Sequence, residues 1–254
     1  MKSAIFLSAR DKSKRLSKKL FLEIKGKMII EHLIDRLKMA KLPDLIIMCT
    51  SVYSDDVSLV EVAKKNGIEY FRGSEDDKLD RYFNAAKKYN VDFMTIVDGD
   101  DIFCDPECID KIINKFKETN ADYIICKDLP LGVTAFGVKK EALEKICSLK
   151  DENDTEVWGG YFTDTGLFKV VSIKAEEELK HPEYRITLDY KEDFDFFKTI
   201  FDKLYIPGKV FSLKEIVELL GKEPRIVEIN SGAQKLYESH LKESAPVRLK
   251  NNNI

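Results

Sequence analysis

Two groups of charged residues have the types and spacing to do chemistry. The first is Ser8-Ala9-Arg10-Asp11-Lys12-Ser13-Lys14-Arg15-Leu16-Ser17-Lys18-Lys19, which follows the apolar run Ala4-Ile5-Phe6-Leu7. Such a run predicts a buried central strand, and cations in the turn leaving it stand where open α/β sheets bind ligands. Guanidinium forks, ammonium groups and the backbone amides of interleaved serines suit a polyphosphate. A solvated charged loop has the same composition. The second group is Val97-Asp98-Gly99-Asp100-Asp101, with three carboxylates at the end of another apolar run and a glycine that permits a sharp turn. These acids suit a hard cation such as magnesium, which takes one or two carboxylates together with substrate phosphate oxygens. They equally suit an ordinary acidic turn, since Asp-Gly pairs favour turns for conformational reasons alone. Farther along, Asp189 in Arg185-Ile186-Thr187-Leu188-Asp189-Tyr190 either completes a metal site or caps the helix that follows, with Asp193 as a first-turn acid.

The other reactive side chains do not form a comparable group. Cys49, Cys104, Cys108, Cys126 and Cys147 are odd in number and contain no CxxC pair, so reduced core thiols are expected rather than a zinc site. His32, His181 and His240 are scattered along the chain and make no nucleophile, base and orienter constellation. The 254 residues carry a net charge of -3 from interspersed acids and bases. This distribution argues against a nucleic-acid footprint and for a small anionic ligand held locally. No signal-peptide pattern and no run near the ~20 apolar residues of a membrane span occurs, so a cytoplasmic protein without membrane partners is expected.

Alternating apolar runs and amphipathic periods place these groups. Strands are predicted at 4–7, 45–50, 68–71, 93–97 and 123–126, with helices at 28–40, 56–66, 79–89 and 107–118. Gly67 suits a helix C-cap, and Asp105-Pro106 an N-cap followed by proline at the first helical position. The alternation predicts a doubly wound, mostly parallel α/β sheet with its ligand crevice at the strands' carboxyl ends. From 127 to 185 the rhythm breaks into the apolar pieces 133–138 and 167–173 and the aromatic patch Trp158-Gly159-Gly160-Tyr161-Phe162. This stretch reads as an inserted lobe for dimerisation and acceptor binding. Helical periods return at 191–204 and 212–220. The whole is expected to form one domain over 1–244, with 245–254 a flexible tail.

Ala9-Arg10, Ser13, Arg15-Leu16 and Lys19-Leu20, then Phe71-Arg72-Gly73-Ser74-Glu75-Asp76-Asp77 with Leu79-Asp80-Arg81-Tyr82, resemble the cytidylyltransferases grouped with spore-coat polysaccharide synthesis enzymes. These are similar to the CMP-sialic acid and CMP-KDO synthetases. The likeness continues in order through Gly99-Asp100, Leu188-Asp189 and Glu192-Asp193. It implies a Rossmann-like nucleotidyltransferase sheet with a protruding dimerisation element, and a homodimer that uses magnesium and CTP and releases pyrophosphate. Carried over by position, Ala9, Arg10, Ser13, Arg15 and Lys19 would hold the triphosphate, and Arg72 and Ser74 would lie near the cytosine. Asp100 and Asp189 would coordinate magnesium. Thr50 and Ser51 are further nucleotide contacts or caps of the next helix.

The resemblance therefore implies transfer of CMP to an acidic sugar, nonulosonate-like or KDO-like, by in-line attack on the α-phosphorus. Arg10, Arg15, Lys19 and Asp100 would carry the catalysis. Asp11-Lys12 and Ser17-Lys18 stand where the family often has Met-Gly and Pro-Gly, which leaves the loop less preset by its backbone. Two alternatives stay open. A nucleotide-sugar-dependent glycosyltransferase shares a related sheet and an acidic metal motif, and a catalytically weak nucleotide-binding protein would tolerate the altered loop.

Overall fold

The first strand, β1 (Ser3–Ser8), is buried along its whole length. It lies centrally in a seven-stranded sheet of order β5-β4-β1-β6-β8-β7-β9. The computed structural model describes residues 1–12, 15–241 and 247–250. In chain order the strands are β1, a short hairpin β2 (Glu23–Ile24) and β3 (Lys27–Met28), β4 (Leu45–Ser51), β5 (Glu69–Gly73), β6 (Phe93–Asp98), β7 (Tyr123–Lys127), β8 (Phe136–Lys139) and β9 (Val170–Lys174). The helices are α1 (Ile29–Leu37), α2 (Val57–Lys65), α3 (Lys78–Tyr89), α4 (Pro106–Thr119), α5 (Lys140–Leu149), α6 (Gly160–Thr163), α7 (Lys191–Leu204), α8 (Leu213–Lys222), α9 (Arg225–Glu228) and α10 (Ala233–Leu241).

β1 pairs in parallel with β4 and β6, and β4 with β5, so the doubly wound α/β sheet is present as expected. Alternation along β1 sends Ile5 and Leu7 to a layer that contains Leu33 and Ile34 of α1 and Ile109 and Ile112 of α4. Ala4 and Phe6 face Leu79 and Tyr82 of α3 and Leu143 and Ile146 of α5. Both faces are covered, which is why the central strands read as continuous apolar runs. A third cluster gathers Phe103 with Phe196, Phe197 and Phe201 of α7 and Ile216 and Leu220 of α8. Among the described residues no helix is long and apolar enough to cross a membrane.

Residues 127–185 differ from the expected inserted lobe. β8 slots between β6 and β7 and runs antiparallel to both, and β9 extends the edge parallel to β7. The sequence shows β8 only within the apolar piece 133–138 because the strand contains Gly137, where a Cβ would stand 2.5 Å from Ile112 and 2.7 Å from Phe93. Trp158, Tyr161 and Phe162 are core residues, with Trp158 packed on Tyr123 and Phe136 and Phe162 stacked on Tyr123. Within the expected tail, Leu249 forms a β-bridge with Lys150 and Val247 packs on the α5 side, so 247–250 are docked.

One close approach positions the later part of the site. Gly132 has φ +92°, and a Cβ there would lie 2.3 Å from the Ile186 carbonyl oxygen. This lets Leu131 accept from Ile186 N at 2.7 Å and donate to the Tyr184 carbonyl at 3.0 Å, which lays 184–188 alongside it. Leu188 N then donates to the Asp100 carbonyl at 3.0 Å. Gly132→Ala would meet both a left-handed backbone and a fixed carbonyl. It is expected to lower stability by at least ~2 kcal/mol in chemical denaturation.

Candidate active site

A cavity of about 490 Å³ opens at the carboxyl ends of β1 and β6. Ala9, Arg10, Lys12, Arg15 and Lys19 line one side, and Asp98, Gly99, Asp100, Asp101 and Asp189 line another. Gly99 N donates to the Ser8 carbonyl at 2.7 Å. A Cβ on Gly99 would come within 3.2 Å of both Ala9 and that carbonyl. The glycine thus lets the acidic turn press against the basic loop.

Lys19 is the meeting point. Its buried Nζ donates to Asp100 Oδ2 at 2.7 Å, the Leu188 carbonyl at 2.7 Å and Asp189 Oδ1 at 3.1 Å. Arg15 donates to the same Asp189 oxygen at 2.5 Å. Lys18, just before, takes a left-handed backbone with φ 50°, which a glycine would adopt without cost. A lysine there carries local strain, while the cationic side chains of Arg15 and Lys19 still reach the acids. Arg10 is held by Glu156 and the Glu75 carbonyl.

The charges set one another's protonation. Burial opposes ionisation of Lys19 and Asp189, but Asp100 and Asp189 raise the Lys19 pKa, while Lys19 and Arg15 hold Asp189 below the ordinary carboxylate range. Asp98 and Asp101 go the other way, lifted by burial and then by neighbouring acids, with Lys78 partly offsetting the rise at Asp98. Burial works against charge on Lys78 as well, yet Asp98 together with Tyr82, Glu156 and Asp100 outweighs it and the pKa rises. On the far wall, burial and then Asp189 push the Tyr237 phenol up to about 12.

Of the residues singled out from the sequence, Ala9, Arg10, Arg15, Lys19, Asp100 and Asp189 line this cavity together. Ser13 lies outside the described residues. Thr50, Ser51, Arg72 and Ser74 are not in the cavity wall. Thr50 and Ser51 are buried at the end of β4, where Ser51 Oγ donates to Asp56. Arg72 turns outward to the Ser51 and Tyr53 carbonyls at 3.0 and 2.8 Å, and Ser74 Oγ accepts from Asp77 N at 3.2 Å. Local backbone groups capture Arg72 and Ser74, and the Asp56 carboxylate captures Ser51. Sequence reading missed Lys78 and Tyr237, which do line the cavity. A lysine on the apolar stripe of α3, beside Leu79 and Tyr82, was the available signal for the first. Tyr237 carried none, because only packing returns α10 to the site.

Residues 4–229 match the family model described as cytidylyltransferase. The chain belongs to the cytidylyltransferase family. This cytidylyltransferase is 34% identical over 243 residues to an uncharacterized protein of Methanocaldococcus jannaschii, covering 93% of this chain and 98% of that one. It is 28% identical over 225 residues to the spore coat polysaccharide biosynthesis protein SpsF of Bacillus subtilis, covering 86% and 93%. A solved cytidylyltransferase from Leptospira borgpetersenii superposes with TM-score 0.82 at 27% identity, over 89% of this chain and 97% of that chain.

Asp101 offers a test of the crowded acids in this cytidylyltransferase. Its carboxyl is raised in the fold, so its ionisation opposes folding above the unfolded-state value near ~4. Asp101→Asn is expected to raise Tm at pH 7 by about 2–4 °C, as ~1 kcal/mol does in a chain of this size. The gain should disappear below about pH 4, where wild-type Asp101 is protonated in both states. Calorimetry at the two pH values checks both the sign and the window.

Proposed function

We propose that this cytidylyltransferase transfers CMP from CTP to an acidic sugar of the nonulosonate or KDO-like class, with magnesium and with release of pyrophosphate. The observation that carries the reading is the convergence of Arg15 and Lys19 on Asp100 and Asp189 in one cavity at the sheet's carboxyl end. A sugar acceptor accords with the polysaccharide role in the name of the Bacillus subtilis relative.

The donor set fits magnesium. Asp100 and Asp189 supply hard anionic oxygens within reach of one nitrogen, where a cation is already favoured. Among the described residues no three ligating side chains converge on a point, so phosphate oxygens and water would have to complete the ion's shell. Asp100 and Asp189 would hold it, and when bound it would neutralise charge on the transferring phosphates. Arg15 and Lys19, together with Arg10, bind and orient the triphosphate, exchanging carboxylate partners for phosphate oxygens. Their fixed positive charge stabilises the pyrophosphate that departs as the acceptor oxygen attacks the α-phosphorus in line. No side-chain nucleophile takes part in this scheme.

Pyrophosphate release from CTP and magnesium, screened across acidic, neutral and amino sugars, is expected only with an acidic sugar. Release with neutral or amino sugars alone overturns the acceptor class, and release of a nucleoside mono- or diphosphate from a preformed nucleotide sugar, with no pyrophosphate from CTP, overturns the nucleotidyl-transfer reading. Asp100→Ala is expected to lower turnover by at least ~10²-fold with the circular dichroism spectrum unchanged. Unaltered magnesium-dependent turnover in that variant refutes the role of Asp100.

A further inference from the structure

Asp189 is held by a device that lies outside the cavity. The Asp193 side chain is fully buried on the first turn of α7. Its two oxygens accept five hydrogen bonds: Arg185 Nε and an Arg185 terminal nitrogen at 3.0 Å each, Asp189 N at 2.9 Å, Tyr190 N at 3.0 Å and Asn230 Nδ2 at 2.9 Å. The same terminal nitrogen of Arg185 also donates to Asp189 Oδ2 at 3.0 Å. The other Asp189 oxygen, Oδ1, receives Arg15 and Lys19 at the cavity wall. Charges therefore alternate from the phosphate loop inward: Arg15 and Lys19, Asp189, Arg185, Asp193.

We infer that Asp193, acting through Arg185, is a positioning residue that keeps one oxygen of Asp189 directed into the cavity for the cation of the proposed reaction. The inference rests on the magnesium reading given above. Asp193 fixes the backbone amide of Asp189 and so the root of that side chain. It also occupies Arg185, whose fork would otherwise close on both Asp189 oxygens in the bidentate manner guanidinium groups favour. A carboxamide at 193 keeps the shape but has one acceptor oxygen and brings two donors. It leaves a buried donor unmatched and the Arg185 charge uncompensated. Asp189 is then the nearest remaining anion, and it turns inward.

Two variants test this: Asp193→Asn, and Arg185→Lys, which keeps the charge but loses the fork should the first fail to fold. Calorimetric titration of magnesium into CTP-saturated protein is expected to show at least a tenfold loss of magnesium affinity in either variant. CTP affinity in the presence of a chelator should stay within about twofold of wild type. A crystal structure of the metal-free Asp193→Asn protein is expected to show Asp189 chelated by Arg185 and released from Lys19. In metal-free Arg185→Lys, Asp193 still accepts from the Asp189 amide, but the fork that pins Asp189 Oδ2 is gone, and the Asp189 carboxylate is expected in more than one orientation. A purely structural role predicts a lower Tm with unchanged magnesium affinity in the folded protein. That result, or Asp189 contacts identical to wild type, overturns the inference. If wild type itself binds no magnesium, the metal reading falls, and the crystallographic comparison still decides whether Asp193 positions Asp189.

Discussion

The Lys19 ammonium holds together three parts of the chain that are distant in sequence. It stands between Asp100, at the end of β6, and Asp189, before α7, while its own residue opens the turn that leaves the basic loop. Burying such a cation is tolerable only because carboxylates surround it, and burying those carboxylates is tolerable only because of the cation. Neither half could be moved alone. This mutual dependence accounts for the way Lys19 and Asp189 shift each other's ionisation toward the charged pair despite the cost of burial.

The backbone makes that pairing possible by close approach. Gly99 brings the acidic turn against Ser8 and Ala9, and Gly132 brings residues 184–188 against Leu131. Both contacts lie beyond the ends of regular strands, where side chains must come from loops but still need fixed positions. The parallel core β4-β1-β6 supplies the rigid base, since its strands are covered on both faces and cannot shift register without exposing apolar residues. Charge complementarity and rigid backing together hold a cluster that contains more acids than it has cations to pair. Asp98 and Asp101 are raised by burial first and by those neighbouring acids second.

Much of this was legible in the chain itself. The apolar runs of β1, β4 and β6, and the helices after them, have one dominant period each, and local chemistry marks their ends, as at Asp105 with Pro106. The basic loop and the acidic turn stand out because charge crowded at the end of a buried strand is costly unless it meets a ligand or an opposite charge. β8 showed only as part of the apolar piece 133–138, because close packing of α4 demands a glycine within it and so weakens the strand signature. Arg72 and Ser74 looked like ligand contacts, yet neighbouring backbone groups satisfy them first. Residue type states what a side chain can bond and leaves open which of several partners it meets.

The sequence alone determined the doubly wound core, the phosphate-suited loop and the acids at 98–101, since these follow from hydrophobic period and from residues adjacent in the chain. Tertiary structure alone decided that Lys78 and Tyr237 reach the cavity and that Asp193 stands behind Asp189, and it brought Asp189 to Asp100, a pairing the chain offered only through the family resemblance. Contacts within the site span up to 174 residues of separation, as between Arg15 and Asp189. They depend on two glycine-permitted approaches and on which buried charges can be neutralised together, quantities that exist only once the chain has closed on itself.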